Sequence, residues 1–378
     1  MYHPICPVDV RVTDAAEGQR AVRDWLQSPQ RLLVLASKSR CAELNLTPFF
    51  TAMQGDGHAV QLYTDIAPNP TVEDVAALLK RLREQPFEPT TILAIGGGSC
   101  MDLGKAVAAM GSLPQPPTPA SVREALNSKA YAAADKRPEL IVMPTTAGTG
   151  SEVTRWATVW DPQEKRKLSI DTPEGYPAAA VIIPEWTVGM PPSITLSTGL
   201  DALSHAMEAF WAVSRNPLSQ ELAIAAVTKI RDALPAALAD LGDRNARQEM
   251  ALGSLMAGIA FSQTRTTACH SISYPLTMLH GIPHGFATAI TLSSVMRRNA
   301  AAVPEINRLE EVFYDAEGFD AWMEDTADGI EPLTLSGFGV KEADLREICN
   351  LAFTPGHMDN NPVAFTQADV MEILHESL

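Results

Sequence analysis

The chain has 378 residues, 46% of them hydrophobic and 20% charged, enough for a sizeable core without disulfide staples. Lys+Arg 29 against Asp+Glu 45 leaves a net charge of −16, which excludes a general nucleic-acid binder and electrostatic attachment to anionic membranes. An anionic small substrate stays open, because a few local cations can dominate a cleft.

The predicted elements alternate at first. Arg31–Ser37 (RLLVLAS) is an apolar run typical of a buried parallel strand, and Ala59–Asp65 (AVQLYTD) is a second candidate. Thr71 then caps a helix whose apolar positions recur at helical spacing. TTILAIGGGSCMDLGKAVAAM reads as strand, glycine turn and helix; LIVMPTTAGTGSE as a strand entering a Gly/Thr loop; AAAVIIPEW as a last strand stopped by Pro184. Strand–helix alternation with short connections implies a parallel sheet with right-handed crossovers. Leu113–Ser121, rich in proline, reads as a surface loop. From about Thr195 onward the patterns are helical and long. A boundary near Pro191–Ser193 divides the chain into an α/β domain with a Rossmann-like parallel sheet, residues 1–190, and an all-helical domain, 191–378.

Five cysteines (Cys6, Cys41, Cys100, Cys269 and Cys349) are scattered, odd in number and without CxxC, the pattern of a reduced, cytoplasmic chain. The start, MYHPICPVDV, has neither a basic n-region nor an apolar h-region, so no signal peptide is expected. No uninterrupted apolar stretch reaches the roughly 18 residues of a spanning helix.

Three constellations carry chemistry. Gly96, Gly97, Gly98 and Ser99 lie between a strand and a helix, where glycines allow close approach of a phosphate and the helix N-terminus offers free N–H groups. Asp102 is placed in the first helical turn. A tight turn explains GGGS as well, and the ordinary GxGxxG fingerprint is absent. The loop Pro144–Glu152 can present amides and Thr/Ser hydroxyls to a ribose or diphosphate. Two such loops on one edge of a parallel sheet favour a dinucleotide site. Asp201 and His205 stand at i, i+4 on one helix face, with His270 and His284 downstream. One carboxylate and three imidazoles suit Zn²⁺ or Fe²⁺ with room for a substrate oxygen. His280 is the rival ligand.

GGGSCMDLGKA, PTTAGTGSEVT, STGLDALSHAMEAF and HGIPHG occur in the order found in the iron-containing (group III) alcohol dehydrogenases, which the chain resembles from about Leu32 to Val370. The resemblance implies an N-terminal α/β nucleotide domain and a C-terminal helical domain. It implies Asp201, His205, His270 and His284 as metal ligands. Gly97, Gly98 and Ser99, with Asp102 beside them, would form the diphosphate site; Thr145, Thr146, Ser151 and Lys167 would line the nicotinamide nucleotide. It further implies NAD(P), a divalent metal, a small aldehyde or alcohol as substrate, and a homodimer.

Three positions depart from the family pattern. Ser37, followed by Lys38 and Arg40, stands where members that prefer NAD often carry an acid, so NADPH use is open. Tyr274 replaces a histidine near the reacting oxygen; with His270 it is a candidate catalytic residue. Ile183 replaces the usual Asp of a DPE segment. TRTTACHSISYPLT resembles the phosphonoacetaldehyde reductase branch, and Arg265, Thr266 and Thr267 could cradle a tetrahedral anion, with Arg155 a second cation. The expected activity is reversible hydride transfer between a nicotinamide and a small aldehyde, with phosphonoacetaldehyde a named candidate. The alternatives are a general short-chain alcohol or lactaldehyde dehydrogenase, a dehydroquinate-synthase-like lyase, and a non-catalytic nucleotide binder.

Overall fold

The structure is a computed structural model that describes residues 5–85, 87–113, 116–134 and 136–378. Pro114 and Gln115 of the Pro-rich stretch, and Met1–Pro4 of the segment read for a signal peptide, lie outside the described residues. The chain forms two compact units, Met1–Thr146 with Ser151–Thr187, and Ala147–Gly150 with Val188–Leu378.

The first unit is built on strands β1 (Asp9–Val12), β2 (Arg31–Leu35), β3 (Ala59–Tyr63), β4 (Thr91–Gly96), β5 (Glu139–Pro144), β6 (Trp156–Asp161), β7 (Arg166–Asp171) and β8 (Ala179–Ile182). Six of them pair in parallel in the order β1-β8-β5-β4-β2-β3. The helices between them are α1 (Ala15–Trp25), α2 (Lys38–Glu43), α3 (Thr47–Gly55), α4 (Val72–Glu84), α5 (Gly98–Met110) and α6 (Pro119–Ser128). β4 is buried along its whole length, as a sheet covered on both faces requires. Thr71 caps α4 through a reciprocal capping box with Asp74. The chain passes from β2 out to β3 at the sheet edge, then returns to β2's other side for β4. That reversal is a topological switch point, and the loops after β2 and β4 flank it.

Three strands were not legible. β1 is a four-residue, largely exposed edge strand. β6 and β7 form an antiparallel hairpin outside the main sheet, with Trp160 opposite Lys167. Its alternation is short and interrupted by the polar turn residues Gln163–Lys165, which hid the pairing.

The second unit is helix-rich, with α7 (Pro192–Trp211), α8 (Pro217–Ala239), α9 (Arg244–Thr264), α10 (Ala268–His280), α11 (His284–Ala289) and α12 (Leu292–Asn299), followed by shorter helices to the C-terminus. α7 is buried nearly all round, the mark of a central core helix. The Ala147–Gly150 part of the Gly/Thr loop belongs to this unit. A Cβ at Gly148 would lie 2.5 Å from the Thr198 carbonyl oxygen, and one at Gly150, where φ is +61°, 2.7 Å from Gly258 Cα. These glycines let the loop backbone sit directly on α7 and α9. Among the described residues no helix is long and apolar enough to cross a membrane.

Candidate metal and cofactor sites

The i, i+4 spacing on α7 sets Asp201 and His205 side by side. α10 adds His270 and α11 starts at His284. Asp201 Oδ1 is buried without a hydrogen-bond partner. It lies 3.7 Å from His270 Nε2, 3.8 Å from His284 Nε2 and 3.9 Å from His205 Nδ1. His205 Nε2 and His270 Nε2 are 3.0 Å apart. Two nitrogens bound to one ion at the usual Zn–N length stand about 3.0–3.4 Å apart, so this spacing fits a shared cation. A buried carboxylate oxygen with no partner is costly unless a cation completes it. The donor set therefore fits a divalent transition metal with nitrogen and oxygen ligands. Asp201, His270 and His284 offer ligand atoms all within 4.8 Å of one another; His280, the rival, is outside that group, and His205 joins it through its contact with His270.

Electrostatics agree. Burial pushes His205 down to about 4, keeping its imidazole neutral and its lone pair available. Burial opposes ionisation of Asp201, but the neighbouring imidazoles bring its carboxyl well below the ordinary range. His205 Nδ1 is 3.3 Å from the Gly148 carbonyl oxygen, and its ring stacks on Phe261 at 4.1 Å. The Gly/Thr loop thus fixes the orientation of a candidate ligand, a role its composition did not signal.

Glu208 was missed from the sequence, although it follows Asp201 by seven residues and so shares its helix face. Fully buried, its carboxylate accepts the Thr267 hydroxyl at 2.7 Å, the Cys269 amide at 2.8 Å and His270 Nδ1. Burial resists a charge on either partner. Their attraction nevertheless lowers Glu208 and carries His270 up to about 9. With a cation at Nε2, the same contact holds the proton on Nδ1 and turns Nε2 inward. Thr267 thus serves Glu208, and also accepts Trp211 Nε1–H at 2.9 Å, rather than facing a substrate anion.

Beside the cluster, the Tyr274 ring lies parallel to His284 with centroids 6.0 Å apart. Burial and the Glu208 charge push its phenol far above the ordinary value, so the hydroxyl stays protonated. Tyr274 Oη is 3.4 Å from His357 Nε2, and Thr266 Oγ1 is 2.8 Å from His357 Nδ1. His357 comes from the irregular segment before the C-terminal helix, where no periodicity marked it. Arg265 holds φ +63°, rare for a side-chain-bearing residue, and a Cβ on Gly356 would lie 2.7 Å from its Nη1. Gly356 is thus the residue that admits the guanidinium. Arg155 lies in the first unit instead, paired with Asp171 at 2.8 Å.

In the first unit the two predicted loops follow adjacent strands, with Gly96 in register with Pro144. A Cβ at Gly96 would lie 2.6 Å from Cys100 Cβ, so glycine allows α5 to start immediately after β4. α5 begins at Gly98 with no side-chain cap on its first amides. Ser99 accepts the Asn69 amide at 3.0 Å, and the buried Thr145 donates its amide to Gly96 at 3.1 Å. Gly97 faces Thr146, whose Oγ1 would be 3.1 Å from an added Cβ. Asp102 falls beyond the first turn of α5, a correction to the sequence reading. Its carboxylate accepts the Ser151 hydroxyl at 2.9 Å and the Thr158 amide at 3.0 Å, with Lys167 an attractive charge nearby. Lys105, also missed, is buried on the same helix. Its Nζ donates to the carbonyls of Ser151, Thr154 and Trp156 at 2.6–2.8 Å and ties the hairpin to α5. Ser37 caps α2, Lys38 is exposed, and Arg40 pairs with Glu43 at 2.9 Å.

Residues 16–184 match the model "Iron-containing alcohol dehydrogenase", and residues 195–378 match "Fe-containing alcohol dehydrogenase family, C-terminal". The chain is 32% identical over 336 residues to alcohol dehydrogenase 4 of Saccharomyces cerevisiae, covering 85% of this chain and 84% of that one. It is 40% identical over 234 residues to phosphonoacetaldehyde reductase of Streptomyces viridochromogenes, covering 61% and 58%. The crystal structure of sulfoacetaldehyde reductase from Bifidobacterium kashiwanohense with NAD+ superposes with TM-score 0.84 at 29% identity, covering 100% and 98%. The chain belongs to the iron-containing alcohol dehydrogenase family, metal-dependent oxidoreductases that interconvert aldehydes and alcohols with NAD(P).

Proposed function

We propose that this enzyme reduces a short aldehyde bearing a tetrahedral anionic head group, phosphonoacetaldehyde being the first candidate. The observation that carries this reading is Arg265, a cation held in a strained backbone conformation beside Thr266 and packed over Gly356. A planar guanidinium presents paired donors that match a phosphonate or sulfonate. Similarity to a phosphonoacetaldehyde reductase and a sulfoacetaldehyde reductase supports the same substrate class.

Asp201, His205, His270 and His284 would hold the metal, which when bound polarises the carbonyl as a Lewis acid. A nicotinamide held by the first unit's loops would supply or accept the hydride. Glu208 keeps His270 oriented. The protonated Tyr274 hydroxyl donates a hydrogen bond to the reacting oxygen. Arg265 and Thr266 receive the anionic end and so fix which carbon is presented. The free amides at Gly97 and Gly98 receive the diphosphate, with Ser99, Thr145, Thr146, Ser151 and Lys167 lining the nucleotide and Asp102 bracing them. Ser37 and Lys38 flank the switch point with no carboxylate to repel a 2′-phosphate, so we include NADPH among the cofactors. In this reading the protein is a cytoplasmic homodimer.

A kinetic screen with phosphonoacetaldehyde, lactaldehyde and propanal, each with NADH and NADPH, tests the reading. The expected result is the highest kcat/KM for the anionic aldehyde. A preference for propanal would favour a general short-chain alcohol dehydrogenase. Substrate turnover without net nicotinamide oxidation would favour the lyase alternative.

A further inference from the structure

Tyr274 is 5% exposed, so a phenol that gives up its proton there can regain one only from a neighbouring group. His357 is half-buried and meets that phenol with Nε2, while Nδ1 meets the Thr266 hydroxyl. Both ring nitrogens are thereby engaged in one chain, Thr266–His357–Tyr274, with its last member beside His284. The segment carrying His357 is clamped on both sides. The Thr354 amide donates to Ser271 Oγ at 2.9 Å. Asn360 Nδ2 donates to the carbonyls of Thr264 and Thr266 at 2.7 and 3.0 Å. A half-buried side chain so fixed, with its ring nitrogens on two buried hydroxyls, suits proton transfer.

We propose that His357 relays the proton of the reduction through the Tyr274 hydroxyl. This deepens the function proposed above and rests on it. As hydride adds to the carbonyl carbon, the Tyr274 O–H bond breaks and its proton forms the O–H of the product alcohol. The His357 Nε2–H bond breaks as its proton restores the phenol, and solvent reprotonates His357. In alcohol oxidation each transfer reverses. The ionisable groups facing this chain are Arg265 over Gly356, Asp359 on the same segment, and His284, Glu208 and Asp201 around Tyr274.

His357→Gln keeps hydrogen-bonding groups in the position but cannot carry a proton. Aldehyde reduction is measured from acid to alkaline pH in wild type, His357→Gln, His357→Ala and Tyr274→Phe, with metal content and nicotinamide binding followed in parallel. The proposal expects kcat in His357→Gln to fall about 100-fold with metal content and cofactor affinity unchanged. The pH dependence of kcat should differ between wild type and that variant, and free imidazole should restore part of the rate in His357→Ala. A kcat for His357→Gln within about threefold of wild type and an unchanged pH profile would overturn the relay alone. If wild type reduces no aldehyde, the functional reading falls and the relay with it. If His357→Gln loses metal or cofactor binding, the residue is structural and the relay is overturned.

Discussion

The Glu208 carboxylate accepts the Nδ1 proton of His270, turning Nε2 of that imidazole toward Asp201. Through this one contact Glu208 decides which His270 nitrogen is available to an ion. Glu208→Gln should lower metal affinity about 10–100-fold, since carboxylates behind histidine ligands contribute at that level. Competition against a chelator measures it. Undiminished affinity would show that His270 is oriented by packing alone.

The unpartnered Asp201 oxygen makes the metal-free protein the strained state. Saturating metal at about 1,000 times its Kd should add about 4 kcal/mol of stability. Thermal melts with and without chelator read this as a shift in Tm, and Asp201→Ala should abolish the metal-dependent part of it.

Arg265 combines charge with backbone strain, and two substitutions separate them. Arg265→Ala should raise KM for phosphonoacetaldehyde about 10–100-fold and leave that for propanal nearly unchanged, the scale of a lost charged hydrogen bond. Arg265→Gly removes the same charge while accepting φ +63° without penalty, so it should match Arg265→Ala in KM and exceed it in stability. Equal KM effects on both aldehydes would sink the anion-binding role.

Gly285 follows the candidate ligand His284, and a Cβ there would overlap the Ser197 carbonyl oxygen on α7. No side-chain rotation relieves a clash with backbone. Gly285→Ala should cost about 3 kcal/mol or more and weaken metal binding together with stability.

Lys105 satisfies carbonyls of three residues from inside the first unit. Lys105→Met leaves those buried carbonyl oxygens unsatisfied, and should destabilise the protein by about 1–3 kcal/mol or more. Chemical denaturation reads the loss. A change below about 1 kcal/mol would mean that water replaces the ammonium.

Much of the architecture was readable because burial leaves marks in the sequence. The apolar runs at Arg31–Leu35 and Thr91–Gly96 became β2 and β4, and Thr71 capped α4 as expected. Asp201 and His205 were readable because a helix fixes what i, i+4 means. His270 and His284 could be named only as downstream candidates, with His280 a rival, because their meeting depends on how α10 and α11 pack on α7. His357 carried no signal at all, since an irregular segment has no period and the fold alone brings it to Tyr274. The Gly/Thr loop was read for its hydroxyls, whereas Gly148 and Gly150 are required by close backbone contact with helices whose packing no local pattern reveals.

The central claim is metal-dependent reduction of an anionic aldehyde. Its most direct test is nicotinamide oxidation with phosphonoacetaldehyde by protein stripped of metal, then reloaded with Fe²⁺, Zn²⁺, Mn²⁺ or Co²⁺. The account predicts no turnover after stripping, recovery with at least one of these ions, and a higher kcat/KM than with propanal. Full activity in the stripped protein, or no activity with any ion, would contradict it.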